Sequence, residues 1–103
     1  MDKYLKLAEK LVLSNIDTDE YAVFMFGSRA LQKGGRGADI DIGILGTNPI
    51  SREKMELVRQ VLEESLIPYI IDLVDFSCVN SDFKKNALKK IQIWNQPKHI
   101  VLK

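Results

Sequence analysis

Apolar positions along this chain change their period several times, and each change marks an element. From Asp2 to about Ser14, Tyr4, Leu7, Ala8, Leu11 and Val12 recur at three- and four-residue spacing. That predicts an amphipathic helix with Asp2 near its start and Lys3, Lys6, Glu9 and Lys10 on its wet side. Asn15 to Glu20 is a polar connection. Tyr21-Ala22-Val23-Phe24-Met25-Phe26 is an unbroken run of aromatic, branched and other apolar residues, the pattern of a buried strand, and Gly27 breaks it. Asp39 to Ile44 alternates instead, which places Ile40, Ile42 and Ile44 on one face of a second strand and Asp39 and Asp41 on the other. Gly46 to Ile50 forms a turn, with Asn48-Pro49 and Ser51 as helix-start signals. The helix that follows runs to about Ser65, burying Met55, Val58, Val61 and Leu62 and leaving Arg52, Glu56, Arg59, Gln60 and Glu63 wet. Ile67-Pro68 closes it and opens a third strand, Tyr69 to Phe76. A capped helix from Asn80 or Ser81 to about Ile91 turns Phe83, Ala87, Leu88 and Ile91 inward and Lys84, Lys85, Lys89 and Lys90 outward. Ile93, Trp94 and, after Pro97, Ile100-Val101-Leu102 leave an apolar tail that a small domain does not bury completely, a candidate protein contact.

Composition narrows the class without naming a function. The 103 residues, 46% hydrophobic and 28% charged, suit one small globular domain spanning 1–103. Fifteen basic residues against fourteen acidic ones give a net charge of +1, so charge balance points to neither nucleic acid nor membrane as a partner. No apolar run reaches membrane-spanning length, and the N-terminus lacks the apolar core of a signal peptide. Cys78 is the one cysteine, which allows no internal disulfide and fits a reducing cytoplasm. His99, the one histidine, has no evident partner and is expected on the surface.

Candidate chemistry gathers between the first two strands. Ser28 can cap a helical turn that begins with Arg29, Ala30 and Leu31, so that a hydroxyl and free backbone N–H groups beyond Gly27 face an anion. Gln32 to Ala38 holds three glycines with Lys33 and Arg36: either a flap that approaches a triphosphate or an ordinary solvated loop. Asp39 and Asp41 on one strand face repel each other unless a cation lies between them, and a hard divalent ion such as Mg²⁺ is the usual answer to such an all-oxygen pair. In the third strand the period of two sends Asp72 and Asp75 to opposite faces, so only one can share the cleft side. Asp72 lies mid-strand among Ile70, Ile71, Leu73 and Val74, where an ionised carboxylate is costly without a partner. Asp75 lies at the strand's end, where solvation is easier.

The order apolar strand, Gly27-Ser28, ten intervening residues, then Asp39-x-Asp41 on a second apolar strand resembles the nucleotidyltransferase superfamily related to DNA polymerase beta, and within it the minimal nucleotidyltransferases. The resemblance implies an α/β nucleotidyltransferase fold, a small mixed β-sheet with helices packed on one face and the acids lining the open face. It implies two Mg²⁺ ions held by Asp39 and Asp41 with Asp72 on the first, Asp75 remaining the alternative third carboxylate. Gly27, Ser28 and Arg29 would bind the nucleotide. The implied reaction is transfer of AMP from ATP to a hydroxyl. Nothing in this stretch of chain serves as an acceptor-binding domain, so the acceptor would come from another protein. For stand-alone members the resemblance implies the antitoxin of a two-gene module, acting on a tyrosine of a HEPN-family toxin encoded alongside. Two other functions stay open: a non-catalytic nucleotide-binding antitoxin that neutralises its partner by complex formation, and a free-standing nucleotidyltransferase on a small molecule.

Overall fold

Residues 2–27 and 39–102 are described by a computed structural model. The apolar run forms β1 (Tyr21–Phe26), and its residues from Ala22 onward are all buried. Side chains alternate across a strand, so burial at every position requires cover on both faces of the sheet. β2 (Ile40–Gly46) begins one residue after Asp39 and pairs antiparallel with β1, in a register running from Tyr21 opposite Gly46 to Phe26 opposite Asp41. β3 (Ile71–Asp75) pairs parallel with β2. The longer extended segment predicted there survives as hydrogen bonds at both ends: Ile40 N–H donates to the Ile70 carbonyl (2.9 Å) and Phe76 N–H to the Ile44 carbonyl (2.8 Å). β4 (Gln92–Asn95) pairs antiparallel with the other side of β1, which makes a mixed sheet of order β3-β2-β1-β4. Part of the apolar tail is thus an edge strand.

Two long helices cover one face, as the resemblance implies. Leu5, Ala8 and Val12 of α1 (Lys3–Ser14) and Val58 and Leu62 of α2 (Arg52–Glu63) pack on Val23, Met25, Ile40, Ile42, Ile44 and Leu73. The buried stripe of α1 is led by Leu5, with Tyr4, Leu7 and Leu11 half-buried at its flanks. Met55 and Val61 of α2 are likewise half-buried. Both predicted caps form. Asp2 Oδ1 accepts from Tyr4 N–H (2.7 Å), its Oδ2 accepts from the Tyr69 hydroxyl (2.7 Å), and Ser51 Oγ accepts from Lys54 N–H (3.1 Å).

The opposite face is less open than expected. Ala22, Phe24, Phe26, Leu45 and Phe76 form an aromatic layer there, closed by Leu88 and Ile100. Phe76 is its hub, with ring centroids 4.9 Å from Phe24, 5.0 Å from Phe26 and 5.7 Å from Phe83. Leu88 reaches this layer from the end of α3 (Ser81–Ala87), which is capped by Asn80 and stops four residues before the predicted Ile91. Phe83, expected to face inward, is 42% exposed. In the tail Ile100 is buried while Ile93 and Val101 stay exposed, and His99 is on the surface as expected.

A Cβ added at Gly43 would press on the rings of Phe24 and Phe76, the latter at 2.8 Å, in a layer with no slack. Gly43→Ala is therefore expected to cost ~1–3 kcal/mol of stability by urea unfolding, from overpacking. An unchanged midpoint would mean that the aromatic layer can part without cost.

Candidate functional site

The aromatic layer stops short of one end of the sheet, and the acids are there. By the period of two, Asp41 shares its face with Gly43 and Leu45, yet it is only half-buried. Its register partner on the parallel neighbour is Asp72. The antiparallel register brings Phe26 opposite Asp41, so the chain leaves β1 directly beside that carboxylate. Gly27 has φ +78°, and a Cβ there would lie against Asp41 Oδ2. Both the left-handed backbone and the close approach require glycine at this turn. Asp39 precedes β2 and is exposed. Ser28 and Arg29, expected to hold phosphate, and Lys33 and Arg36 of the loop lie outside the described residues.

Burial lifts the Asp41 carboxyl above the ordinary carboxylate range, and the negative charges of Asp72 and then Asp39 push it further the same way. Asp72 itself is exposed, contrary to the desolvation expected of a mid-strand acid. The reason is that β3 is an edge strand and the aromatic layer reaches it at Val74, two residues beyond Asp72. Register, not desolvation, is what associates Asp72 with Asp41.

Asp75 differs from expectation in the other direction. It shares the face of its register partner Ile44, away from Asp41, and is half-buried rather than freely solvated. Its Oδ2 accepts from Ile50 N–H (3.1 Å), and its Oδ1 accepts from both the N–H (2.9 Å) and the hydroxyl (2.7 Å) of Ser77. These bonds clamp the loop before α2 to the turn after β3.

Asp39, Asp41 and Asp72 supply the oxygen-only, strongly negative donor set that a hard divalent cation takes, and in chemistry they fit one. Among the described residues, no group of three His, Cys, Asp or Glu side chains is gathered closely enough to hold a single ion. One or two of these carboxylates together with ligand phosphates would make the kind of oxygen shell that Mg²⁺ takes.

Beside Gly27 the same end of the sheet opens into a cleft of about 490 Å³ lined by Phe26, Gly27, Phe83, Asn86, Ala87, Lys89 and Lys90. Sequence reasoning assigned Phe83 and Ala87 to the core and the lysines to a solvated face. Lys89 and Lys90 are indeed exposed and Ala87 packs on the aromatic layer, but all three also line the cleft, and Phe83 is half-open to it. The one available signal was Phe83 itself, an aromatic residue in the first turn of a helix too polar to bury it. A second cavity of about 320 Å³, between α2 and the chain entering β3, is lined by Leu62, Ile67, Tyr69 and Ile71 and lies on the other face, away from the acids.

The family described as "Polymerase beta, Nucleotidyltransferase" matches residues 7–99. A probable protein adenylyltransferase MntA of Haemophilus influenzae is 28% identical over 89 residues, covering 86% of this chain and 76% of that protein. A chain of a toxin–antitoxin complex solved with AMP-PNP superposes with a TM-score of 0.73 at 22% identity, over 94% of this chain and 76% of that one. A chain of the tri-AMPylated Shewanella oneidensis HEPN toxin in complex with its MNT antitoxin gives 0.62 at 22% identity, over 86% and 70%. The two structural likenesses establish a shared fold.

The raised pKa of Asp41 has a definite sign for stability. Below the carboxyl's unfolded-state pKa it contributes nothing. As pH rises from there to the higher folded-state value, ionisation favours the unfolded chain, and above that value the loss is complete. Without divalent cations, Asp41→Asn is expected to melt above the parent at pH 7 and level with it once acidification has protonated Asp41 in both states. Thermal melts across that range check this, and a variant that melts lower at pH 7 would contradict it.

Proposed function

This chain belongs to the polymerase beta nucleotidyltransferase family, and from that premise we propose that it is a single minimal nucleotidyltransferase domain over residues 1–103 that transfers AMP from ATP to a tyrosine hydroxyl of a HEPN-family toxin encoded alongside it. The observation that carries this reading is the placement of Asp41 and Asp72 as register partners at the sheet end where Gly27 packs on Asp41. The name of the Haemophilus influenzae relative and the AMPylated toxin in the Shewanella oneidensis complex support the acceptor class. AMP-PNP in the most extensively superposed of the structures described supports ATP as donor. An ATP-using, single-cysteine protein of this kind belongs in the cytoplasm.

In this reading Asp39 and Asp41 would hold Mg²⁺, with Asp72 on the ion nearer the acceptor, and Ser28, Arg29 and the N–H groups after Gly27 would hold the terminal phosphates. Bound Mg²⁺ would supply charge neutralisation at the α-phosphate and at the departing pyrophosphate. A side chain at Gly27 would press on Asp41, so glycine there would leave the carboxylate open to a phosphate. Asp72, exposed and acceptor-only when ionised, would take the acceptor's proton. The acceptor oxygen forms a bond to the α-phosphorus, the bond from that phosphorus to the bridging oxygen breaks, and pyrophosphate leaves with the electron pair.

The second reading is a nucleotide-binding antitoxin that neutralises its partner by covering it, which the complex of HEPN toxin with MNT antitoxin among the similar structures also supports. The two separate cleanly. The purified chain is to be incubated with Mg²⁺ and α-labelled ATP, with and without the partner, and the label located by mass spectrometry. Transfer predicts label on a partner tyrosine, abolished by EDTA and reduced at least about a hundredfold by Asp41→Asn while the complex still forms. Covering predicts no label, and neutralisation that survives both Asp39→Asn and Asp41→Asn.

A further inference from the structure

We infer that the free edge of β3 is the docking strand for the acceptor: an extended, basic segment of the partner protein adds to the sheet there and presents its tyrosine beside Asp72. The inference rests on the transferase reading for the identity of the acceptor.

The phase of the ladder shows which groups of β3 are unused. Ile40 N–H donates to the Ile70 carbonyl and Phe76 N–H to the Ile44 carbonyl, and in a parallel pair those two bonds fix the alternation between them. Asp72 and Val74 turn their backbone groups toward β2, whereas Ile71 and Leu73 turn theirs outward. β3 ends the sheet on that side, so the N–H and C=O groups of Ile71 and Leu73 have no partner among the described residues. A row of unpaired groups flanking a carboxylate is a template for one more strand. The reaction also brings its acceptor from this side. With the terminal phosphates held beyond Gly27, pyrophosphate departs on the β1 side of the acids, and the acceptor of an in-line displacement enters from the opposite side. In the order β3-β2-β1 that side is the edge of β3.

Side chains of an added strand alternate as those of β3 do. A residue opposite Asp72 turns to the acid face with its Cβ about 5 Å away, and its neighbours turn to the helix face. There the cavity of about 320 Å³ opens beside Ile71, walled by Leu62, Ile67 and Tyr69, a seat for an apolar side chain next to the tyrosine. Ile70 also lines that cavity and is 68% exposed, apolar surface that such a segment covers. Charge decides the occupant. Asp72 is exposed on this edge and Asp39 at the start of the adjoining strand, which favours lysine or arginine in the segment. A second copy of this chain is disfavoured, because pairing β3 with itself gathers Asp72 and Asp75 of both copies along one short strand pair.

The test is residue-resolved amide hydrogen exchange by NMR on the full chain, free and saturated with the partner, alongside the label-transfer assay on the parent and on Ile70→Ser. The Ile71 and Leu73 amides are expected to exchange fast in the free chain and at least about tenfold more slowly in the complex, while Asp72 and Val74, already bonded to β2, change little. Protection gained at alternate residues marks strand pairing, which side-chain contact alone does not produce. Ile70→Ser, at an exposed position, is expected to raise the KM for the partner about tenfold and to leave kcat and the KM for ATP unchanged. A complex in which Ile71 and Leu73 still exchange fast would overturn the docking strand. So would protection in the free chain that grows with its own concentration, by assigning the edge to a second copy. If no stable complex forms, an unchanged KM in Ile70→Ser overturns it. Label on the partner with the edge unprotected removes the docking strand and leaves the transferase reading standing; protection with no label moved does the reverse.

Discussion

Burial of β1 on both faces is the constraint from which the remaining architecture follows. A six-residue strand with five buried positions needs an apolar layer above and below it. The chain provides one from the stripes of α1 and α2, and the other from its own phenylalanines, closed by Leu88 and Ile100. Pairing with β2 then fixes which carboxylate meets the turn at Gly27, because a slip of one residue would exchange Asp41 for an isoleucine. The site is consequently a boundary phenomenon. It occupies the end of a face whose middle is sealed, where cover gives out over two adjoining strands.

Placing like charges at that boundary opposes folding, and the sign of the Asp41 shift records the opposition. The fold tolerates it because the charges are peripheral to the apolar layers. Asp72 is exposed, Asp39 lies outside the strand, and only Asp41 is partly withdrawn from water. Asp75 shows the contrasting case: a carboxylate of the same strand, turned to the other face and given three donors, becomes a clamp between two loops.

What was legible in the sequence was whatever depends on local period. β1, the alternation in β2, the opposition of Asp72 and Asp75, and the caps at Asp2 and Ser51 all follow from spacing and side-chain chemistry. What depends on distant cover was not legible. The exposure of Asp72 is decided by how far an aromatic layer from other strands reaches. The end of α3 at Ala87 frees the following residues for Leu88 to enter that layer and for Gln92–Asn95 to join the edge of β1. β4 has four residues, two of them polar amides, and owes its strand conformation to a partner some seventy positions earlier. Gly27 stood out in the sequence as a break, whereas its contact with Asp41 needed the register. Ser28 and Arg29, the rest of that motif, lie outside the described residues.

The chain of rings from Phe24 through Phe76 to Phe83 joins the interior of the protein to the wall of its cleft. A side chain already immobilised by folding has little rotamer freedom left to surrender when something settles against it. The wall of the cleft is therefore close to rigid, with little freedom left to lose. The same linkage makes the wall as durable as the core behind it, so that its shape persists until the aromatic layer itself comes apart.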